Sequence, residues 1–144
     1  MNLSPHFTLE EMIQSPIGLR LGIDYMPEKE QLVNLYNLAL RLEDVRKILG
    51  TPIHINSGFR CTELNKLIGG VPHSAHVDGN AADIIAPEFG TPLEIIRLLQ
   101  HNAGLRYDQL IYEYRAWVHI SFDKRLRQEV LTNLSGTYQP GLVP

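Results

Sequence analysis

The clearest hydrophobic pattern in the chain repeats every three to four residues between Pro27 and Gly50. Proline and acidic residues at its start favour the first turn of a helix, and a glycine at its end is typical of a helix stop. The apolar positions of this segment fall on one helical face and are Leu32, Leu35, Tyr36, Ala39, Leu42, Val45 and Leu49. We therefore predict a long helix with one face against the core.

Shorter patterns predict the remaining helices. Capping boxes at residues 8–11 and 91–94 indicate a short helix ending near Ser15 and Pro16 and a second one ending near His101. An irregular stretch is expected between Pro16 and Met26. Thr62 is predicted to cap a brief helix through Ile68 that two glycines end.

Alternating or continuously apolar runs predict the strands. Residues 52–57 form a short strand, residues 81–85 a buried strand and residues 108–122 a hairpin. Helices that flank a small, mostly antiparallel sheet make the class α+β. The tail from about residue 136 to 144 is predicted to be irregular.

Composition and charge indicate the number of domains, the class of partner and the compartment. A chain of 144 residues with 44% hydrophobic residues is predicted to be one domain, residues 1–144, and we expect a monomer. A net charge of -3, with acids and bases well mixed, excludes the basic stripe of a nucleic-acid-binding protein. Cys61 is the only cysteine, which fits a reducing compartment. No signal-peptide pattern or long apolar run is found, so we expect synthesis in the cytoplasm and no membrane insertion.

The candidate chemistry lies in two histidines and an aspartate. His76 and Asp83 are seven residues apart, and His119 follows in an apolar strand. Two imidazoles and one carboxylate suit zinc, and three protein ligands leave a fourth position for a water, as in catalytic sites. Each residue also has a simpler interpretation, because a lone strand histidine is usually a packed or surface residue. Asp83 would be satisfied by solvent if its strand lay at a sheet edge.

The predicted hairpin adds a candidate general base. If Tyr114–Ala116 form its loop, Glu113 pairs with Trp117, and two-residue alternation puts both on the face of His119. A carboxylate there can take a proton from a metal-bound water and return it to a leaving amine. A register slip of one residue would turn Glu113 to the opposite face, where it is only a solvated strand residue. Arg60 is either a solvated turn residue or a clamp for a substrate carboxylate.

Several short motifs occur in order along the chain, namely Ser57-Gly58-Phe59-Arg60, Leu64-Asn65, Gly69-Gly70, Ser74-x-His76-x-x-Gly79-x-Ala81-x-Asp83 and Trp117-Val118-His119-Ile120-Ser121. In combination they resemble the zinc D-alanyl-D-alanine carboxypeptidase family, which shares the hedgehog-type peptidase fold. The N-terminal segments at residues 6–12 and 22–24 are similar to small phage and prophage members. The resemblance extends to about Leu131.

The resemblance implies roles for matching residues. His76, Asp83 and His119 take the places of the ligands of one Zn²⁺, and Arg60 takes that of an arginine that binds substrate or steadies the reacting carbonyl. Ser57 and Ser74 match family positions whose serines support the site. We predict that the substrate-binding residues are Arg60, Ser74 and Trp117.

One position departs from the family pattern. Many members carry the catalytic acid three residues before the last histidine, where this chain has Ala116. The hairpin argument makes Glu113 the replacement. Cys61 follows Arg60 where serine is common, so its thiol could make the site sensitive to oxidation or soft metals.

The resemblance therefore implies a zinc peptidase that hydrolyses amide bonds in the peptide part of bacterial peptidoglycan, as a D-Ala-D-Ala carboxypeptidase or an endolysin-type endopeptidase. A phage or prophage origin is implied, with action on the cell wall after release. The alternative is a catalytically inactive zinc-containing module that binds the wall or serves as a structural part.

Overall fold

A computed structural model describes all residues from Met1 to Pro144. Its helices are α1 (Leu9–Ile13), α2 (Pro16–Leu21), α3 (Lys29–Leu49), α4 (Thr62–Leu67), α5 (Ala75–Asp78) and α6 (Pro92–Gln100). Its strands are β1 (His54–Ser57), β2 (Ala81–Ile85), β3 (Gln109–Glu113), β4 (Trp117–Ser121), β5 (Glu129–Asn133) and β6 (Tyr138–Pro140). None of the helices combines the length and the apolar character needed to cross a membrane.

The strands form one six-stranded sheet in the order β1-β2-β4-β3-β5-β6. Only the β3–β5 pairing is parallel, and the other neighbours run antiparallel. The predicted α+β class with a mostly antiparallel sheet and flanking helices is therefore confirmed.

One face of the central strands packs against the core, and the other lines a cleft. The core-facing positions of β2, β3 and β4 belong to one hydrophobic cluster with α3 and α6, and they are Ala82, Ile84, Leu110, Tyr112, Val118 and Ile120. Because side chains alternate along a strand, the intervening positions point away from this core. Those positions, which include Asp83, Glu113 and His119, form the floor of a cleft.

The long helix ends at the predicted glycine, with Gly50 in the left-handed conformation, but it begins at Lys29, so Pro27 lies before its first turn. Its buried face differs at two positions from the sequence interpretation. Leu38 is buried, whereas Tyr36 is 39% exposed. Apolar residues of α3 therefore extend beyond the face that packs against the core. Hydrophobic spacing alone does not show which of them are buried.

The stretch after α1 was expected to be irregular, but residues 16–21 form α2. The Ser15 hydroxyl accepts a hydrogen bond from the Gly18 N–H, Pro16 occupies the first turn, and Gly22 ends the helix in the left-handed conformation. Ser15-Pro16 was interpreted as the end of α1, but it also begins α2, because proline is favoured in the first turn of a helix. In α4 the cap is also one residue earlier than predicted, because the Cys61 Sγ accepts from the Leu64 N–H.

The C-terminal region also differs from the prediction. Residues 129–133 add β5 beside β3, and residues 138–140 form β6 within the tail that was expected to be irregular. β6 has only three residues, Tyr-Gln-Pro, so its sequence lacks the apolar alternation that marks a strand.

Both outer strands of the sheet have irregular edges. In β1 the register shifts between Ile55 and Ser57, and the Gln14 side chain donates to the Ile55 carbonyl at 3.1 Å. At the other edge, β6 ends in a proline, which has no N–H to donate.

Candidate metal centre and catalytic cleft

The sheet register brings the three predicted metal ligands together. Asp83 on β2 lies directly opposite His119 on the neighbouring β4, and His76 reaches them from the one-turn helix α5. The His76 Nε2, Asp83 Oδ1 and His119 Nδ1 atoms are each 3.2 Å from the other two. All three residues are buried.

This triangle fits a tetrahedral zinc ion. Zinc bonds to nitrogen and oxygen of about 2.0 to 2.1 Å place tetrahedral ligand atoms roughly 3.3 to 3.4 Å apart. The observed edges of 3.2 Å match that spacing closely. Three donors occupy one face of a tetrahedron, which leaves the fourth position for a water or a substrate atom.

The His76 ring is oriented by the segment that follows β1. Its Nδ1 lies 2.7 Å from the Gly58 carbonyl, so Nδ1 carries the proton and Nε2 presents its lone pair. The Ser74 hydroxyl caps α5 by accepting from the His76 N–H, and the Arg60 N–H donates to the His76 carbonyl. Gly58 has no room for a side chain, because an added Cβ would lie 2.2 Å from the Met12 carbonyl oxygen.

The surroundings of Asp83 show whether solvent or neighbouring side chains stabilise its charge. β2 is not an edge strand, since it lies between β1 and β4. Burial by itself would raise the pKa of Asp83, but His76 and His119 outweigh burial and hold this pKa well below its usual value. The carboxylate is therefore stabilised by the imidazoles rather than by solvent.

The predicted hairpin register is confirmed. Glu113 pairs with Trp117 and Ile111 with His119, and Tyr114 and Arg115 have positive φ angles in the loop. Glu113 thus shares the face of His119 and is only 8% exposed.

The surroundings of Glu113 suit an acid/base residue. Burial raises its pKa above the usual glutamate value, and the negative charge of Asp83 acts in the same direction. His119, a hydrogen bond from Asn133 and the charge of Arg60 partly oppose this shift. A carboxyl group with a raised pKa accepts a proton more readily near neutrality, which is the property a general base needs.

Arg60 and Trp117 contribute two unpartnered donors to the cleft, which has a volume of about 510 Å³. The Arg60 Nε and the Trp117 Nε1 are buried, and neither has a hydrogen-bond partner. Burial lowers the pKa of Arg60, while Asp83, Glu113 and Tyr138 act to raise it. Buried donors without partners are costly, so a ligand oxygen that reaches either N–H would accept a hydrogen bond that the free protein lacks.

Other predicted residues occupy different positions. Ser74 lines the cleft, but its hydroxyl is engaged as the α5 cap. Cys61 caps α4, packs against the hydrophobic core and does not line the cleft. His73 does line the cleft, and its φ angle is positive. The substrate-binding roles of Arg60, Ser74 and Trp117 stay predictions.

Two cleft residues were missed by sequence reasoning. Asn133 on β5 donates to Glu113, and the Tyr138 ring on β6 forms part of the same wall. Burial raises the pKa of Tyr138, with further contributions from Glu113 and Tyr114. No spacing signal marks these residues, because their approach depends on the parallel pairing of β3 with β5.

A second and larger groove, of about 1170 Å³, runs along α3 and is lined mainly by charged and amide side chains. It contains none of the three candidate ligands. The smaller cleft is therefore the candidate active site, because it alone of the two combines a metal-binding triad with an acid/base group.

Comparison with known protein families agrees with this geometry. Residues 5–121 match the family model for peptidase M15, and the match includes His76, Asp83, Glu113 and His119. No curated protein matches the chain. Since the family match covers most of the sequence, the chain belongs to the peptidase M15 family of zinc-dependent peptidases.

Proposed function

We propose that this protein hydrolyses amide bonds in the peptide part of bacterial peptidoglycan. The observation that carries the proposal is the triangle of His76, Asp83 and His119 ligand atoms, with Glu113 on the same face of the sheet. Peptidase M15 membership supports zinc-dependent amide hydrolysis. The finer forms of the proposal are a D-Ala-D-Ala carboxypeptidase and an endolysin-type endopeptidase of phage or prophage origin that reaches the wall after release.

His76, Asp83 and His119 would hold the metal. When bound, zinc supplies Lewis acidity that brings the pKa of a coordinated water toward neutrality and polarises a carbonyl. The donor set of two neutral imidazoles and one carboxylate agrees with a catalytic rather than a closed structural zinc site. The Gly58 carbonyl helps this set by keeping the His76 proton on Nδ1.

Glu113 supplies the proton transfers. It removes a proton from the attacking water as the water oxygen bonds to the amide carbon. The same proton then passes from Glu113 to the amide nitrogen as the carbon–nitrogen bond breaks. The raised pKa of Glu113 serves both steps, since the group must first accept the proton and later release it.

Arg60 and Trp117 orient the substrate. The Arg60 guanidinium lines the cleft near Asp83 and Glu113, its Nε has no partner in the protein, and it would donate to a peptide carboxylate or to the oxygen that gains charge. The Trp117 Nε1 is a second unpartnered donor in the same cleft. A peptide that bonds to both would be fixed over the metal side of the sheet.

Mass spectrometry of purified peptidoglycan after digestion tests the function. We expect new amino groups and fragments that identify a single type of cleaved amide bond. Release of a terminal D-alanine would favour a carboxypeptidase, and cleavage within the stem or cross-bridge would favour an endopeptidase. Protein that holds zinc yet releases no new amino groups would refute the peptidase and favour a zinc-containing binding module.

Glu113→Gln separates catalysis from metal binding. We expect one zinc per chain to be retained and cleavage to fall by about 100-fold or more, because general acid/base groups contribute on that order. Glu88→Gln is the matched control, since Glu88 is exposed and outside the cleft. Full activity of the Glu113 variant would contradict the assigned role.

A further inference from the structure

The acid/base carboxylate is held by a side chain from outside the segment that matches the family. Asn133 lies on β5, beyond residues 5–121, and pairs with Glu113 across the parallel β3–β5 register. The Asn133 Nδ2 donates to the Glu113 Oε2 at 2.9 Å. Asn133 is 3% exposed, and its carbonyl also accepts from the Tyr114 N–H at 2.7 Å.

The orientation of the Asn133 amide follows from a second contact. The Gly136 N–H donates to the Asn133 Oδ1 at 2.7 Å. A backbone N–H can only donate, so the oxygen of the amide must face Gly136 and the NH₂ group must face Glu113. The turn between β5 and β6 therefore determines which group Glu113 meets.

An NH₂ group can donate but cannot accept, and this restricts the Glu113 proton. Protonation of Oε2 would make the oxygen that accepts from Asn133 a weaker, hydroxyl acceptor, so this hydrogen bond favours the protonated form that carries its proton on Oε1. Oε1 accepts no hydrogen bond from the protein and keeps some accessible surface, and Glu113 lines the cleft, so Oε1 is open to a water or a substrate atom. The hydrogen bond thereby favours the proton on the oxygen that can exchange it with a water or a leaving nitrogen.

We propose that Asn133 is a positioning residue that directs proton transfer to the Oε1 atom of Glu113. This inference rests on the proposed peptidase function. In the forward step, Oε1 takes the proton of the attacking water as the water oxygen bonds to the amide carbon. In the return step, the O–H bond at Oε1 breaks, and the proton goes to the nitrogen released from that carbon.

Asn133→Asp removes the hydrogen-bond donor to Glu113 but keeps the acceptor for the Gly136 N–H in the turn. Its carboxylate keeps an acceptor for the Gly136 N–H but replaces the NH₂ donor with a second acceptor facing Oε2. We expect kcat on soluble peptidoglycan peptides to fall by about 10- to 100-fold, the range for a lost hydrogen bond to a charged group. KM should stay within about twofold and zinc content should be unchanged, because neither Arg60 nor the ligand triad is altered.

Thr132→Val is the matched control on the same strand. Thr132 bonds to the Gly141 carbonyl and the Val143 N–H, on the side of β5 away from Glu113. This variant should lower thermal stability and leave kcat near the wild-type value. If Asn133→Asp keeps kcat within about twofold of wild type, or if Thr132→Val lowers kcat as much as Asn133→Asp does at a similar loss of stability, the inference is overturned.

A measurement independent of turnover examines the contact itself. In ¹⁵N-labelled protein the side-chain amide resonances of Asn133, identified by their absence in Asn133→Asp, should shift when Glu113 is changed to Gln. Unmoved resonances would refute the contact. Wild-type protein that cleaves nothing would instead refute the peptidase proposal and the proton-directing role with it, whereas active wild type with an unaffected Asn133 variant refutes the positioning role alone.

Discussion

Gly58→Ala is predicted to weaken zinc binding although residue 58 is not a ligand. The new Cβ would lie 2.2 Å from the Met12 carbonyl oxygen, whereas ordinary contacts exceed 3.4 Å. The β1–α4 connection or α1 must therefore move by roughly 1 Å. Because the Gly58 carbonyl holds the His76 Nδ1 at 2.7 Å, a shift of that size takes the pair beyond hydrogen-bond range.

The magnitude follows from the two contacts that are disturbed. Loss of the partner that orients a ligating histidine typically reduces metal affinity by about 10- to 100-fold. Overpacking against α1 and the lost hydrogen bond together should lower the free energy of unfolding by about 2 to 4 kcal/mol. The Phe59 N–H also donates to the Met12 carbonyl at 2.7 Å, so the same movement strains a second bond.

Zinc competition with a colorimetric chelator measures the affinity, and urea unfolding of zinc-loaded and chelated protein measures the stability. Gly104→Ala is the control, because its Cβ would meet only Asn102 Oδ1 at 3.4 Å. Gly58→Ala with zinc affinity within about twofold of wild type would refute the claim that this carbonyl orients His76, even if stability falls.

Two further predictions concern metal binding and acid stability. His119→Ala should lose the metal while the exposed-residue control His101→Ala retains it, and equal zinc content in both by elemental analysis would remove His119 from the ligand set. Asp108→Asn should lower the free energy of unfolding at pH 7 by about 2 to 3 kcal/mol, because Asp108 accepts three hydrogen bonds from Arg127. Burial acts to raise the pKa of Asp108, but Arg127 holds this pKa below the usual aspartate value. The stabilisation from the Asp108–Arg127 contact is therefore present above the pKa that Asp108 has in the unfolded chain, and it is lost as pH falls through the pKa that Asp108 has in the folded protein. The gap in urea midpoint between wild type and Asp108→Asn should therefore narrow below about pH 4, and a constant gap from pH 7 to pH 3 would be the contrary result.

Sequence reasoning succeeded where local patterns determine position. The two-residue alternation of 109–113 and 117–121, joined by a three-residue loop, was enough to place Glu113 on the face of His119. The strand that carries Asp83 was also predicted, but the one-turn helix α5 that positions His76 was not.

Positions that depend on non-local pairing or on a competing local role were not predicted. Asn133 reaches Glu113 only because β5 joins the sheet parallel to β3, and no turn or periodicity between these strands signals that choice. The Ser74 hydroxyl caps α5, a local role that the sequence analysis did not predict. Short polar side chains often bond to the backbone of the following residues, and spacing alone does not show where they do so.

The two irregular edges of the sheet bear on how the protein behaves at high concentration. An open sheet exposes unpaired peptide groups that can recruit a strand from another molecule and begin fibrous aggregation. Here a shift in the β1–β2 register makes β1 irregular and the Gln14 side chain bonds to its Ile55 carbonyl, while Pro140 removes a donor from the β6 edge. The fold thus discourages the addition of further strands at either edge of the sheet.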